Sequence, residues 1–315
     1  MLKVSIIIPV YNVEKYLRKC LNSIYFLDLS DKEVIIINDG STDSSPDILN
    51  EYKNKYPDKT KIISQKNQGQ AEARNVGLKS AIGDYILFID SDDFIDPIEI
   101  EEFLKFGIEK KVDILIGAYK EYYDDKNIID RKFYKTNKDI EKEGIFYIEN
   151  GFKNKCLVLT VCEKFFNRKF LLKNNLFFEK GLLHEDVLFT STAFFYAKKV
   201  RCYNKKFYFY RRNNLNSTTN TLSKKNYEHL LYIANKLLDF KNEKELENKY
   251  FNRIILGLYA SILRKGKYIN EDIFYKISKL NFKFKEKLKL IYVFILQKLY
   301  HSKLEDLDII NLNEV

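Results

Sequence analysis

The chain has 315 residues and a formal net charge of +10. With 45% hydrophobic and 31% charged residues, its composition is that of a globular protein and excludes a disordered chain. The positive charge fits an anionic membrane surface, a phosphate-bearing substrate or a solvated basic surface. Nucleic acid is not expected as a partner, because no recognised binding motif accompanies the charge.

The sequence shows no sign of export or of membrane insertion. It begins with the strand-like run Val4–Val10 rather than with the charged leader of a signal peptide. Its longest apolar stretch, Leu290–Leu296, is shorter than the roughly 20 residues that span a bilayer. The cysteines form no CxxC pair, so we expect reduced thiols in a cytoplasmic protein rather than a zinc site. They are Cys20, Cys156, Cys162 and Cys202.

Apolar runs in the first 119 residues predict five buried strands of the kind that parallel sheets contain. The runs are Val4–Ile8, Val34–Ile37, Lys61–Ile63, Tyr85–Ile89 and Asp113–Tyr119. Helices are predicted between them. They are Val13–Ile24, a helix capped by Ser45 with Pro46 in its first turn, Ala71–Ala81 ended by Gly83, and one that opens at Asp96-Pro97. This alternation predicts an α/β fold with a mostly parallel, doubly wound sheet flanked by helices.

The pattern changes after residue 119. From Lys120 to Tyr147 charged and aromatic residues mix without a clear period, which predicts a surface excursion. From Lys224 onward apolar residues recur at helical spacing in three stripes, the last of which spans Leu288–Leu299. These stripes predict a helical appendage at the C-terminal end of the sequence.

Polar residues follow three of the predicted strands at their carboxyl ends. Tyr11-Asn12 follows the first strand, Asn38–Ser41 the second and Asp90–Asp93 the fourth. Because doubly wound sheets bind ligands at the carboxyl ends of their strands, we expect these residues to share one edge of the sheet. That edge would combine an aromatic ring, a carboxylate turn and a carboxylate cluster.

The run Asp90–Asp93 places three carboxylates within four residues, where they repel one another unless a cation lies among them. Asp90 and Asp92 alternate, so both could face one ligand, and hard divalent ions such as Mn²⁺ or Mg²⁺ prefer oxygen ligands of this kind. A solvated acidic turn before the next helix explains the run equally well.

Three further features have both a structural and a functional interpretation. Asp39 lies in an ordinary turn sequence, but it could accept hydrogen bonds from a nucleobase. Arg74 follows Asn67–Ala71 and could reach an anion near a helix start, although a surface arginine is the simpler interpretation. Glu185 and Asp186 fit a helix N-terminus, and either could also serve as a general base.

Taken together and in this order, the motifs resemble those of family 2 glycosyltransferases, which have the GT-A fold. The resemblance rests on Ile8–Asn12, Asn38–Asp43, Asn67–Gly69, Ala73–Gly77, Asp90–Asp93 and Glu185-Asp186. It is strong over residues 1–119, thinner through Glu163-Lys164 and Tyr210-Arg211, and absent from the C-terminal helices. It implies a GT-A domain over residues 1–221, with a nucleotide-binding half at 1–119 and an acceptor-side half at 120–221. A helical region at 222–315 would follow.

The resemblance also implies roles for individual residues on the nucleotide side. Pro9, Tyr11 and Asp39 would hold the uridine of a UDP-sugar donor. Asn67 and Arg74 would line the nucleotide pocket. The remaining donor and metal contacts would come from Asp90, Ser91, Asp92 and Arg211. Among these, Asp92 would be the principal ligand of a divalent metal, with Asp90 near the ribose and the metal.

On the catalytic side, the resemblance implies that Asp186 is the base and that Glu185 contacts donor or acceptor. Arg211, with Ser217, would close over the pyrophosphate. Asn38 stands where many relatives carry Asp, and Cys162 stands where many carry an aromatic residue. The second departure affects the acceptor site.

The expected function is therefore the inverting, metal-dependent transfer of a sugar from a UDP-sugar to a saccharide or lipid-linked acceptor. Such reactions build capsule, lipopolysaccharide and other surface polysaccharides. The alternatives are a sugar nucleotidyltransferase and a non-catalytic protein that binds nucleotide sugars. The basic, aromatic segment Phe282–Tyr300 fits peripheral contact with the inner face of the cell membrane, packing within the appendage, or a homodimer interface.

Overall fold

The computed structural model describes residues 3–29, 31–123, 128–131, 133–134, 137–212 and 224–264. The chain divides into two compact units, Met1–Leu215 and Asn216–Val315. The described part of the first unit contains nine strands and seven helices. The strands are β1 (Val4–Val10), β2 (Lys32–Asn38), β3 (Thr60–Ser64), β4 (Tyr85–Phe88), β5 (Phe94–Ile95), β6 (Ile114–Tyr122), β7 (Ile128–Asp130), β8 (Lys164–Asn167) and β9 (Val200–Arg211). The helices are α1 (Glu14–Tyr25), α2 (Ser45–Lys55), α3 (Gln70–Ser80), α4 (Pro97–Lys110), α5 (Gly144–Lys153), α6 (Arg168–Lys173) and α7 (Glu185–Tyr196).

All nine strands join one mixed sheet in the order β3-β2-β1-β4-β8-β6-β9-β5, with β7 paired to β6. The four strands β3, β2, β1 and β4 are parallel, as their apolar sequences predict. The short strand β8 then runs antiparallel between β4 and β6, while β6 and β9 are parallel to each other. The predicted α/β fold is confirmed, with helices packed against a sheet that changes direction at β8.

The core lies where strands β1, β2 and β4 are covered on both faces. Every residue of β1 is buried, which explains why its sequence is almost continuously apolar. Helix α3 packs closely on this strand at Gly77, where a Cβ atom would lie 2.3 Å from Cγ2 of Ile7. Only glycine permits this approach, and it brings the residues at the start of α3 near the carboxyl end of the sheet.

Three local predictions need correction. Residues 120–147 contain the end of β6, strand β7 and the start of α5, although β7 and residues 137–143 are exposed, as a surface excursion would be. The cap of α2 is Ser44 rather than Ser45. Helix α3 ends at Ser80 with Ala81 as its cap, and Gly83 lies beyond it. A Cβ atom on Gly83 would lie 2.7 Å from the main-chain nitrogen of Ser5, so this glycine permits close contact with β1.

The second unit contains α8 (Lys224–Glu243) and α9 (Lys249–Arg264) among its described residues. Ala234, Leu237 and Leu238 from the predicted stripe are buried in α8. The third predicted stripe and the segment Phe282–Tyr300 lie outside the described residues. Across the part of the chain that the structure describes, none of the helices combines the length and hydrophobicity needed to cross a bilayer.

Candidate active site

The loops after β1 and β2 are tied to each other by polar contacts at the carboxyl edge of the sheet. The amide oxygen of Asn12 accepts a hydrogen bond from the main chain of Thr42 at 2.8 Å, and Asn38 accepts one from Ser41 at 3.0 Å. Pro9 is buried inside β1. Tyr11, two residues later, leaves 48% of its surface exposed. The ring of Tyr11 is therefore presented to solvent at this edge, while Pro9 belongs to the core.

Asp39 is almost completely buried and organises the loop that precedes α3. One of its carboxylate oxygens accepts hydrogen bonds from the side chain of Gln65 at 2.7 Å and the main chain of Gln68 at 2.9 Å. The other oxygen accepts one from the main chain of Gly69 at 2.8 Å. Asn67 is exposed on the same loop, where its side chain accepts a hydrogen bond from Gly69. Asp39 thus fixes the loop that carries Asn67.

A buried arginine joins the two halves of the site. Arg74, on α3, is 3% exposed and donates from one end of its guanidinium to Asp90 at 2.6 Å and from the other to Glu185 at 2.5 Å. Gln70 donates to the same oxygen of Asp90 at 2.7 Å. These contacts link the end of β4 to the start of α7, which lie about a hundred residues apart in the sequence. A surface position for Arg74 is excluded.

The segment before α7 is held against α3 by the residue next to Arg74. The side-chain amide of Asn75 donates to the carbonyl of Phe178 and accepts from its main-chain nitrogen, both at 2.8 Å. The ring of Phe178 stacks on Phe189 of α7 at 4.1 Å and lies beneath the Arg74 guanidinium. Asn75 therefore determines where α7 begins relative to α3.

Asp186 occupies the first turn of α7, directly after Glu185. Burial and the neighbouring Glu185 carboxylate raise the pKa of Asp186 to about 7, against the opposing effect of Arg74. Burial likewise raises the pKa of Glu185. A carboxylate whose pKa lies near 7 has the proton affinity that a general base needs at neutral pH. Of the two acidic residues, Asp186 has this property together with a place on the wall of a cleft.

The cleft has a volume of about 220 Å³ and brings the ends of β4, β6, β9 and α7 together. Its lining residues are Asp90, Asp93, Tyr119, Val158, Thr160, Cys162, Glu163, Asp186, Tyr208, Tyr210 and Arg212. Asp90 and Asp186 thus share one cavity. Asp39 and Asp92 do not line the cleft. Asp39 is connected to it indirectly, because it accepts a hydrogen bond from Gly69, and the next residue, Gln70, donates one to Asp90.

The acidic run at the end of β4 divides into groups with different environments. Asp93 is buried and accepts hydrogen bonds from Tyr208 at 2.5 Å and from the main chain of Arg211 at 2.7 Å. Its burial and the nearby carboxylates of Asp92 and Asp90 raise the pKa of Asp93 well above the ordinary value. Ser91 is buried as well. Asp90 and Asp92 are half-buried, so their carboxylates are more accessible than that of Asp93.

Arg211 is not part of the cleft wall that Arg212 lines, and its contact with the pyrophosphate stays a prediction. Its guanidinium donates to the main-chain oxygen of Asp92 at 3.0 Å and lies over the ring of Tyr16 at 4.6 Å. The reason is strand geometry, because successive side chains on β9 point to opposite faces of the sheet. Tyr210 and Arg212 face the cleft, and Arg211 faces α1.

One wall of the cleft is an irregular segment held by a buried ion pair. Lys164 is fully buried and donates to the carbonyls of Val158 at 3.1 Å and Thr160 at 2.6 Å, and it pairs with Glu163. The second oxygen of Glu163 accepts from the Thr160 hydroxyl. The wall also carries Cys162, whose thiol is free and buried.

Comparison with known proteins decides the family. Residues 5–173 match the family described as Glycosyl transferase family 2. The chain belongs to this family. The resemblance of its motifs is confirmed, and with it the expectation that the protein is a glycosyltransferase.

EpsH of Bacillus subtilis (strain 168) is 34% identical over 264 residues, which are 82% of this chain and 75% of EpsH. The poly(ribitol-phosphate) beta-N-acetylglucosaminyltransferase TarS of Staphylococcus aureus (strain Mu50 / ATCC 700699) is 31% identical over 214 residues. This match covers 67% of this chain and 35% of TarS, so much of TarS has no counterpart here.

Two solved structures share the fold. TarS 1-349 from S. aureus, in complex with UDP-GlcNAc, superposes with a TM-score of 0.65 over 95% of this chain and 92% of that one, at 21% identity. The mannosyltransferase PcManGT from Pyrobaculum calidifontis, in complex with GDP-Man and Mn²⁺, gives a TM-score of 0.55 at 14% identity over 96% and 88%. The predicted GT-A fold is thereby confirmed.

The side chains at this site can hold a divalent metal ion only if oxygen atoms of the substrate complete the coordination of that ion. Within the described residues no three His, Cys, Asp or Glu side chains are grouped to hold a metal ion. Asp90 already accepts from Arg74 and Gln70, and Asp93 is buried against Tyr208. A metal held by one or two carboxylates and by diphosphate oxygens is the usual arrangement for Mg²⁺, and the half-buried Asp92 beside Asp90 suits that donor set.

Several residues of the cleft were absent from the sequence prediction. Tyr119, Tyr208 and Arg212 line it, and Glu121 supports it from a fully buried position. The signal that could have found Tyr208 and Arg212 is alternation, because they recur with Tyr210 at the period of a strand. No sequence signal places Glu121 beside Arg212, since their contact depends on how β6 pairs with β9.

Proposed function

We propose that this glycosyltransferase uses a UDP-sugar and a divalent metal to glycosylate a hydroxyl group with inversion of configuration. The observation that carries the proposal is the shared cleft of Asp90 and Asp186, in which burial and Glu185 raise the pKa of Asp186 to about 7. A donor-side carboxylate and a base of suitable pKa then face the same space. Such an arrangement serves a direct displacement on a bound donor.

The donor would occupy the edge formed by the ends of β1, β2 and β4. Tyr11 is exposed there and can stack on the uracil ring, whereas Pro9 is buried in the strand. Asp39 would accept from the base, and it already fixes the loop that carries Asn67. Arg74 would support the pocket by orienting Asp90 toward the ribose. The structure of TarS bound to UDP-GlcNAc supports a donor of this class.

In the chemical step, the acceptor oxygen forms a bond to the anomeric carbon while the bond from that carbon to the diphosphate oxygen breaks. The hydroxyl proton passes to the carboxylate of Asp186, and UDP leaves with the bonding electron pair. One displacement from the face opposite to the leaving group inverts the configuration, so an α-linked donor gives a β-glycoside. Glu185, held by Arg74, would keep Asp186 in place and raise its proton affinity.

Asp92, with Asp90, would hold the divalent ion, Mn²⁺ or Mg²⁺. When bound, such an ion neutralises charge on the leaving diphosphate as a Lewis acid. PcManGT, which was crystallised with GDP-Man and Mn²⁺, supports this assignment.

For the acceptor, we propose a saccharide or polyol of a surface polysaccharide such as capsule or lipopolysaccharide. TarS, which is named for transfer to poly(ribitol-phosphate), supports this class. The transfer would take place in the cytoplasm, at the inner face of the membrane if the acceptor is lipid-linked. Sedimentation with anionic liposomes at low salt would test a membrane contact through residues 282–300, and the mass in solution would test a homodimer.

The decisive test is the variant Asp186→Asn, assayed with a panel of UDP-sugars for metal-dependent release of UDP. We expect turnover to fall by about 10²-fold or more, since a general base contributes this much, while the affinity for UDP stays unchanged. Asp84→Asn is the matched control, because Asp84 is partly exposed and forms only a long ion pair with Lys3. Near-normal turnover of Asp186→Asn would exclude the proposed role.

A further inference from the structure

One face of the β6–β9 ladder carries a set of residues that the proposed reaction does not yet use. Tyr119 pairs with Tyr208 across the ladder, and Glu121 pairs with Tyr210. Arg212 continues the alternation by one more step, and its main-chain nitrogen donates to the carbonyl of Tyr122. Because side chains two residues apart on a strand share a face, these residues form one surface. All of them except Glu121 line the cleft.

Glu121 holds two arginines at this surface. Its side chain has no exposed area, and it pairs with Arg131 at 2.5 Å and with Arg212, whose Nε lies 2.6 Å from the same oxygen. Arg131 follows β7, Glu121 lies on β6 and Arg212 follows β9, so three adjacent strands bring the groups together. Two arginines and one glutamate leave a formal excess of one positive charge.

The arginines are not buried with their partner. The side chains of Arg131 and Arg212 are 44% and 39% exposed. Burial alone would raise the pKa of Glu121, but hydrogen bonds from Arg131 and Arg212 lower it overall, so the carboxylate stays charged. The Arg212 guanidinium lies over the ring of Tyr210 at 4.9 Å. A charged buried partner and a stacked ring both restrict where a guanidinium can point.

The same cleft is also lined by acidic residues, which are Asp90, Asp93, Glu163 and Asp186. A negatively charged ligand is therefore repelled by these carboxylates and attracted by the arginines, which orients it. Arginine suits this task because its planar fork matches carboxylate and phosphate oxygens.

We propose that Arg212 and Arg131, oriented by the buried Glu121, form a subsite for a negatively charged group of the acceptor, a phosphate or a carboxylate. The proposal rests on the proposed function, because it names the class of acceptor used at that site. The anionic group lies against the arginines, and the acceptor hydroxyl points toward Asp186. Tyr119 and Tyr210 provide aromatic surfaces for the sugar or polyol that connects the anionic group to the hydroxyl.

The test measures binding to the full-length chain by ligand-observed NMR, with saturating UDP and Mn²⁺ so that the donor site is filled. The probes are sn-glycerol 3-phosphate compared with glycerol, and methyl β-D-glucuronide compared with methyl β-D-glucoside. We expect at least one anionic probe to bind about tenfold or more tightly than its neutral partner, in line with a charge-assisted hydrogen bond. Which probe is preferred separates phosphate from carboxylate.

The variant Arg212→Gln should abolish this preference without changing UDP affinity, which also shows that it is folded. Arg18→Gln removes an arginine from an exposed, bidentate pair with Glu51 outside the cleft and should keep the preference. Arg212→Lys, which keeps the charge without the fork, should restore part of it. Equal binding of charged and neutral probes in the unmodified chain, or an unchanged preference in Arg212→Gln, would overturn the proposal.

Two further outcomes separate this proposal from the proposed function. If the anionic probe binds only when UDP is omitted and is displaced when UDP is added, the arginines bind the donor diphosphate and the acceptor subsite is excluded. If the anion preference depends on Arg212 but no UDP-sugar is turned over, the proposed function fails while the anion site stands.

Discussion

Residues 1–119 and 120–212, the expected nucleotide and acceptor halves, both line one cleft but are held together by different interactions. In the nucleotide half, carboxylates such as Asp39 accept hydrogen bonds mostly from main-chain nitrogens of nearby loops. In the acceptor half, polar side chains are buried against other charged side chains, as in Glu121 with its two arginines and Lys164 with Glu163. In the first half the hydrogen bonds hold loops in place, whereas in the second half the ion pairs hold charged side chains in place.

This difference indicates how each half can change its specificity. A loop held by main-chain contacts keeps its shape when side chains around it vary, which suits the proposed donor site, because all nucleotide-sugar donors share a nucleotide. Buried charge pairs are sensitive to the loss of either partner, because the remaining charge stays without compensation. The acceptor half should therefore be the less tolerant of substitution. Arg74 belongs to both patterns because it pairs with a carboxylate from each half.

The largest effect is expected for Arg74→Met. Removing this arginine leaves Asp90 and Glu185 close together without their shared cation, and losing one partner of a buried pair costs about 3–5 kcal/mol. The free energy of unfolding, measured by urea denaturation, should fall by this amount and turnover should be lost. Arg18→Gln, in an exposed pair, should leave the unfolding midpoint unchanged. An Arg74→Met protein of normal stability would contradict the bridging role.

The next effect tests the acceptor half alone. In Lys164→Met the carboxylate of Glu163 loses its cation, and the carbonyls of Val158 and Thr160 lose a donor. We expect a loss of about 3 kcal/mol in unfolding free energy, and a rise in acceptor KM that exceeds any change in UDP affinity. Lys164→Arg should recover part of both. Equal losses of donor and acceptor binding would show that the two halves are not separable in this way.

A smaller effect is expected for Asn75→Ala, which removes both hydrogen bonds to Phe178. Leaving a buried main-chain group unsatisfied costs about 1–3 kcal/mol. Because this clamp places α7, kcat should fall while UDP affinity changes little. Asn22→Ala, which removes a single partly buried bond to Tyr52, is a suitable comparison. An unchanged kcat in a destabilised protein would limit Asn75 to a structural role.

A stability effect of the opposite sign is expected for Asp186→Asn. The folded protein holds the Asp186 proton up to about pH 7, whereas the unfolded chain releases it near the ordinary aspartate pKa of about 4. Stability is therefore lost as the pH rises through this window, and the loss is complete above it. Asparagine does not titrate, so Asp186→Asn should be more stable than the unmodified protein near pH 8 and similar near pH 4. A thermal midpoint lower than normal near pH 8 would contradict this explanation.

The nucleotide half could be predicted well because its information is local. Continuous apolar runs gave β1 to β4, and the polar residues after each strand, such as Tyr11 and Asp90, lie at the predicted edge. The acceptor half could not be predicted in this way. Strand β8 has only four residues, and its antiparallel position between β4 and β6 depends on contacts distant in the sequence. Without that pairing, nothing in the sequence brings Glu121 to Arg212.

The candidate site shows the same division. The resemblance singled out Asp186 and Arg74, and the structure joins them through Glu185. It gave Arg211 a predicted contact with the pyrophosphate and gave no role to Arg212. They differ on a strand, where one faces α1 and the other faces the cleft. The different orientations of two neighbouring side chains can be assigned only when the strand is known and when it is known which of its faces is covered.

The central claim is that Asp186 acts as a base whose pKa is raised to about 7 by burial and by Glu185. The most direct test is the pH dependence of kcat for UDP-sugar turnover with saturating donor and acceptor. The rate should fall about tenfold for each pH unit below the pKa of the base, with the midpoint near pH 7. A rate that stays constant from about pH 8 down to about pH 5 would contradict the claim.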